Sequence, residues 1–199
     1  MPMRIFLIGL MCFLGACAFN EGESELCFVG DSITHQWDLN YFFPGYSIKK
    51  HAVVGAKVQD IDKWDVSDCK GLTTVLLIGT NDIGTIRLDD SKAEASRSYF
   101  AKLFMERARK IYAEKLVVVS ILPRNYLGKQ DTSVNLNIEL QNAVLKDSLQ
   151  SSSLRFAFVN VFPYFLEKGY EIDEDLLYDG LHPSPEGYEV LTRRVREKL

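Results

Sequence analysis

Short apolar runs rich in β-branched residues recur at residues 26–29, 73–78, 116–122 and 156–161, each followed by turn or polar residues. Runs of that length and character fit strands buried on both faces of a parallel sheet. Between them the apolar spacing changes to three and four. Residues 93–114 turn Tyr99, Leu103, Ala108 and Ile111 toward one side, and residues 134–149 form a second helical stretch. A weaker strand is predicted over 46–53, a short helix over 57–64 and a last helix over 185–198. Ser184 is suited to cap that last helix, with Pro185 at its first position. Strands alternating with helices predict an α/β fold: a single-domain three-layer α/β/α sandwich around a mostly parallel central sheet. In such sheets ligands sit beyond the carboxyl ends of the strands, so the informative loops are those that follow strands.

The chain has 199 residues, 47% of them hydrophobic, enough for one core. Its 23 basic and 27 acidic side chains give a formal charge of -4, and no basic block is present to neutralise a run of phosphates, which argues against a nucleic-acid partner. The first residues differ from the body: Arg4, then an apolar run over 5–14, then small residues, in the manner of an export signal. The same run, taken without its ending, would also serve as a first buried strand. It is too short to span a bilayer. The ending Leu14-Gly15-Ala16-Cys17 resembles the bacterial lipobox. That resemblance implies a signal peptide over 1–16, a lipidated Cys17, a tether over 17–25 and a folded domain over 26–199. It also implies a place in the bacterial cell envelope, on its periplasmic or surface face. Two cysteines then remain for the domain, Cys27 and Cys69. A disulfide and two buried thiols are equally compatible with the sequence.

Three loops carry candidate chemistry. Gly30-Asp31-Ser32 follows the first strand, which would set the Ser32 hydroxyl and N–H at a helix start. Asp and Ser there are also ordinary helix caps. Near the C-terminus, Asp179 and His182 lie three apart in YDGLHPSPEGY, so that the carboxylate could orient one imidazole nitrogen and leave the other as a base. Asn81, in GTND after the second strong strand, could donate to an oxyanion or simply form a turn. Gly55, before the short helix, could offer its N–H to the same crevice. His35 is expected at the pocket rim or in solvent, and His51 in a structural role. A metal site from Asp31, His35, Asp179 and His182 lacks compact ligand spacing.

In the order Ser32, Gly55, Asn81, His182, these motifs resemble the SGNH hydrolase family, also called GDSL esterases. The likeness rests on GDSIT, GTND and DGLHPSPEGY and extends over residues 28–188. It implies a flavodoxin-like fold, with Ser32 as nucleophile, His182 as general base and acid, and Asp179 as its orienter. The Ser32 N–H, Gly55 N–H and Asn81 amide would form the oxyanion hole, and no cofactor or metal is implied. KKHAVVG departs from the Asn-x-Gly step of many members, which makes the Ala56 N–H an alternative to that of Gly55.

The substrate class is less determined. Compact loops and the expected tether favour an O-acetyl ester on a carbohydrate or cell-envelope glycan. A lysophospholipase or thioesterase, or a non-catalytic glycan-binding lipoprotein, are the alternatives. Trp37, Tyr41, Phe42, Phe43 and Tyr126 could stack on sugar rings, although such aromatics more often fill a core.

Overall fold

The computed structural model describes residues 24–83, 93–125, 130 and 132–199. The expected signal peptide, Cys17 and Tyr126 lie outside them. Five strands form one sheet: β1 (Ser24–Gly30), β2 (Tyr46–Ala52), β3 (Thr73–Leu77), β4 (Lys115–Val119) and β5 (Phe156–Val159). Their order is β2-β1-β3-β4-β5, and every pairing is parallel. Pairing begins at Ser24, opposite Tyr46, two residues ahead of the start expected for the folded domain.

Helices α1 (Ser32–Gln36), α2 (Leu39–Phe42) and α5 (Pro185–Arg196) cover one face, and α3 (Ala93–Lys110) and α4 (Thr132–Gln150) cover the other. Each face has its own core. Phe28, Val75 and Val117 pack with Ile33, Trp37, Leu191 and Val195. On the opposite side Val29, Leu76 and Val118 pack with Phe100, Phe104, Ile138 and Leu145. The short helix expected over residues 57–64 is a 3-10 helix, Val58–Lys63. On α3 the inward stripe is Phe100, Phe104 and Ala108, while Tyr99, expected inside, is 68% exposed. Phe100 and Phe104, one turn apart with ring centroids at 6.2 Å, occupy the centre of the stripe, and Leu103, half-buried, packs against the same core. The cap at the last helix is as expected: Ser184 Oγ accepts from Gly187 N, with Pro185 in the first turn.

Register decides where the loops emerge. Gly30 pairs with Ala52 on one side and Leu77 on the other, so the loops carrying Ser32, Gly55 and Asn81 leave the sheet at one level. The chain reverses direction across the sheet between β1 and β3, which is where a crevice opens in folds of this strand order. Gly30 is required there: a Cβ on it would meet Thr34 Oγ1 at 2.1 Å and the Leu77 carbonyl at 2.3 Å. This close approach lets the Asp31 N–H and the Thr34 hydroxyl both donate to Leu77 O. Lys50 closes the other end of α1, donating to the carbonyls of His35 and Trp37.

Cys27 of β1 and Cys69, in the turn before β3, form a disulfide with Cα atoms 5.4 Å apart, both fully buried. His51 lies beside them, its Nε2 2.7 Å from Asp68 Oδ1. Cys27, Cys69 and His51 form the one group with metal-ligand proximity among the described residues, but the two sulfurs are bonded to each other.

Two consequences can be measured. The disulfide closes a loop of 42 residues, so replacing both cysteines with alanine should lower the unfolding free energy by about 2–4 kcal/mol in urea titrations. An unchanged midpoint would show that the bond does not constrain the unfolded chain. Burial pushes the Asp31 carboxyl from 3.8 up to about 7, against the lowering influence of the Ile33 and Gly79 N–H groups and of His182. Burial likewise pushes Asp82 up to about 6. Carboxyls raised on folding contribute stability that is fully present below their unfolded value and is lost as pH rises from there through the raised values. Stability should therefore fall between about pH 4 and pH 7, and less steeply in Asp31→Asn. An equal slope in the variant would assign the titration elsewhere.

Candidate active site

Ser32 opens α1, and the preceding residue, Asp31, caps it by accepting the Ile33 N–H at 3.0 Å. The capping carboxylate anticipated from Gly-Asp-Ser is thus Asp31, and the serine hydroxyl is left for other work. As the first helical residue, Ser32 has an N–H with no partner inside the helix. The serine is 4% exposed, and its Oγ faces His182.

His182 stands in a loop that folds onto itself just ahead of α5. Asp179 Oδ1 accepts the backbone N–H groups of Leu181 and His182, while Oδ2 lies 2.7 Å from His182 Nδ1. A short bridge between Leu177 and Pro183 pinches the base of the loop. The other ring nitrogen, Nε2, lies 2.9 Å from Ser32 Oγ. Partial burial alone would raise the Asp179 carboxyl. The His182 backbone and side-chain hydrogen bonds and the Leu181 N–H outweigh that and hold it below the usual carboxylate range. An ionised Asp179 fixes Nδ1 as the donor and leaves Nε2 as the acceptor for the serine proton. Structure thereby brings together Ser32, His182 and Asp179, the three residues that the sequence motifs single out.

The geometry of the donors is set by two loops. Val53 O accepts the Ala56 N–H at 3.1 Å across a tight turn in which Gly55 takes φ 76°, a conformation that favours glycine. Ala56, the alternative donor, therefore spends its N–H inside the turn, and the Gly55 N–H does not enter that bond. Asn81 donates through Nδ2 to Ala56 O at 2.9 Å, which ties the loop after β3 to the loop after β2. An amide nitrogen carries two hydrogens, so one remains for a ligand. Asp82 strengthens the tie by accepting the Val58 N–H.

Other residues named from sequence lie elsewhere. His35 is exposed and turns its Nδ1 to the Ala52 carbonyl, and His51 binds Asp68. Of the aromatics weighed as sugar platforms, Trp37 and Phe43 are core, at 1% and 0% exposure, whereas Tyr41 is 71% exposed. Tyr178 was not given a role by sequence, yet its ring stacks on that of His182 at 6.2 Å and 25°. Its adjacency to Asp179 was the available signal.

The GDSL-like Lipase/Acylhydrolase family model matches residues 28–190. No curated protein matches the chain at a significant level. Among solved structures, a protein put forward as a platelet activating factor from Streptococcus pneumonia superposes with a TM-score of 0.68 at 22% identity, over 90% of this chain and 86% of that one. A GDSL-like lipase from Bacteroides thetaiotaomicron VPI-5482 gives 0.64 at 18% identity, over 88% and 87%. A variant of an acetyl xylan esterase from Geobacillus stearothermophilus gives 0.61 at 18%, over 88% and 96%. At these identities the likenesses establish the fold. The family match runs from the middle of β1 into α5 and takes in every loop described above, so the chain belongs to the GDSL-like Lipase/Acylhydrolase family and is a carboxylic ester hydrolase.

Proposed function

We propose that this hydrolase is a serine esterase that removes a short acyl group, acetyl above all, from a hydroxyl of a carbohydrate or cell-envelope glycan. The observation that carries the mechanism is the row Asp179–His182–Ser32, with contacts of 2.7 and 2.9 Å. In the first step Ser32 Oγ attacks the ester carbonyl while His182 Nε2 takes the hydroxyl proton. The carbonyl electron pair moves onto oxygen, where the Ser32 and Gly55 N–H groups and the second Asn81 N–H receive it. Collapse breaks the bond to the alcohol oxygen, which leaves with the proton from His182. Water, deprotonated by the same imidazole, then attacks the acyl-serine, and the carboxylic acid departs as Oγ recovers its proton. Ester and water become acid and alcohol.

The acetyl reading draws support from the named activity of the Geobacillus neighbour. A lipid acyl ester is the second reading, favoured by the platelet-activating-factor description of the Streptococcus neighbour. The N-terminal residues add a location to the proposal: Cys17 carries lipid after removal of residues 1–16, and the enzyme works at the bacterial envelope.

Nitrophenyl esters of acetate, butyrate and octanoate test the reaction. Ser32→Ala should abolish turnover. Asp179→Asn should lower kcat by about a thousand- to ten-thousand-fold through the wrong histidine tautomer, and Asn81→Ala by about a hundred- to a thousand-fold. Acetate should be preferred to octanoate. Activity that survives in Ser32→Ala removes the nucleophile, and a preference for octanoate moves the enzyme to lipids. Separately, the full-length chain grown in bacteria with labelled palmitate should take up the label, and Cys17→Ala should not. An unlabelled wild-type chain overturns the anchor.

A further inference from the structure

Beside the site a groove of about 480 Å³ runs from Tyr178 and Pro183 past Gln36 and Asp38 to Tyr41, with Glu189 on its far wall. It continues into a shallower hollow of about 800 Å³ that shares Tyr41 and Glu189 and follows α5 to Arg193. Resting on the esterase reading above, we propose that this groove is the subsite for the alcohol part of the substrate and that its occupant is an oligosaccharide chain.

Proton transfer fixes the direction. The oxygen that leaves must receive its proton from His182 Nε2, whereas the carbonyl oxygen must point to Gly55 and Asn81. The alcohol therefore lies on the histidine side. His182 is covered there by the Tyr178 ring, whose hydroxyl reaches Gln36 Oε1 at 3.5 Å, and Tyr178 is also the wall at which the groove begins. A leaving alcohol passes along that ring into the groove. The acyl group has no part in it.

The lining selects the kind of alcohol. Tyr178 and Tyr41, 61% and 71% exposed, offer aromatic surface at the two ends, as the apolar C–H face of a sugar ring requires. Gln36, Asp38 and Glu189 stand between and around them as hydrogen-bonding partners for the hydroxyl rim. Asp38 and Glu189 oppose the phosphate of a lipid headgroup in the part of the groove nearest the site, and Arg193 and Arg196 line only the hollow beyond it. Tyr41 is also set against the Phe42 ring, edge to face at 4.9 Å, which steadies it despite its exposure.

The test uses wild type, Tyr41→Ala, Tyr41→Phe and, as a control on the opposite face, Tyr99→Ala. Each is assayed on nitrophenyl acetate and on O-acetylated xylo-oligosaccharides and chito-oligosaccharides of two and six units. Wild-type kcat/KM should rise from the shorter to the longer chain in at least one series. Tyr41→Ala should cut that six-to-two ratio by about fivefold to tenfold through KM, Tyr41→Phe should retain it, and Tyr99→Ala should leave it as in wild type. A ratio of one in both series for wild type, or one that Tyr41→Ala does not change, overturns the groove while the esterase reading stands on nitrophenyl acetate. A selective loss of octanoate hydrolysis in Tyr41→Ala makes the groove an acyl site and overturns the proposal as well. Absence of Ser32-dependent hydrolysis of nitrophenyl acetate overturns both readings together.

Discussion

Two hydrogen bonds join the last helix to the first. Tyr188 donates its hydroxyl to the Ile33 carbonyl at 2.8 Å, and Trp37 donates its indole N–H to Thr192 at 3.1 Å, each across 155 positions of sequence. Both are buried, where an unmet partner would cost more than the bond itself contributes in water. The 2.9 Å contact between His182 and Ser32 depends on this seam, because Ser32 belongs to α1 and His182 leads directly into α5. Ring packing broadens the joint: Trp37 lies between Phe28, Phe43 and Tyr188 at centroid distances of 5.6–5.9 Å. An error of an ångström in that packing would reach the reacting atoms undiminished.

On the other side of the serine the constraint comes from the sheet. Parallel register places three loops at one height, and the Asn81 bond to Ala56 then fixes two of them relative to each other before any ester arrives. Donors held in advance need no reorganisation during the reaction, which is the condition under which they act most strongly on a developing oxyanion. The buried carboxyls Asp31 and Asp82 belong to the same framework. Each accepts a backbone N–H at the start of a helical segment, which favours its ionised form, while burial opposes ionisation more strongly.

Much of this was legible in the chain. β1, β3 and β4 announce themselves because both of their faces are buried, which leaves unbroken apolar runs; of the two edge strands, β5 keeps its run in half-buried residues, while YSIKKHA in β2 is fainter because its lysines stay in reach of water. Ser184 and Pro185 mark a helix start through local chemistry alone. Spacing could not choose between Tyr99 and Phe100, since each lies one helical turn from a residue that reaches the core, Leu103 or Phe104, and only tertiary packing separates them. Nor could it choose among the aromatics at 37–43, where Trp37 and Phe43 enter the core and Tyr41 does not. The proximity of residues 32 and 182, and of Cys27 and Cys69, is a property of topology. For the first, the order of family motifs supplied what spacing lacked. For the second, nothing in the sequence did.

The separation of serine and histidine also bears on biosynthesis. A ribosome that has released about the first hundred and fifty residues has already made the serine corner, both donor loops and most of the sheet, yet the growing chain lacks His182. The imidazole emerges just ahead of α5, and that helix must dock on α1 before proton transfer becomes possible. On the mechanism proposed above, hydrolytic power in this molecule comes with completion: an interrupted or C-terminally clipped chain would keep its serine and lack the histidine that activates it.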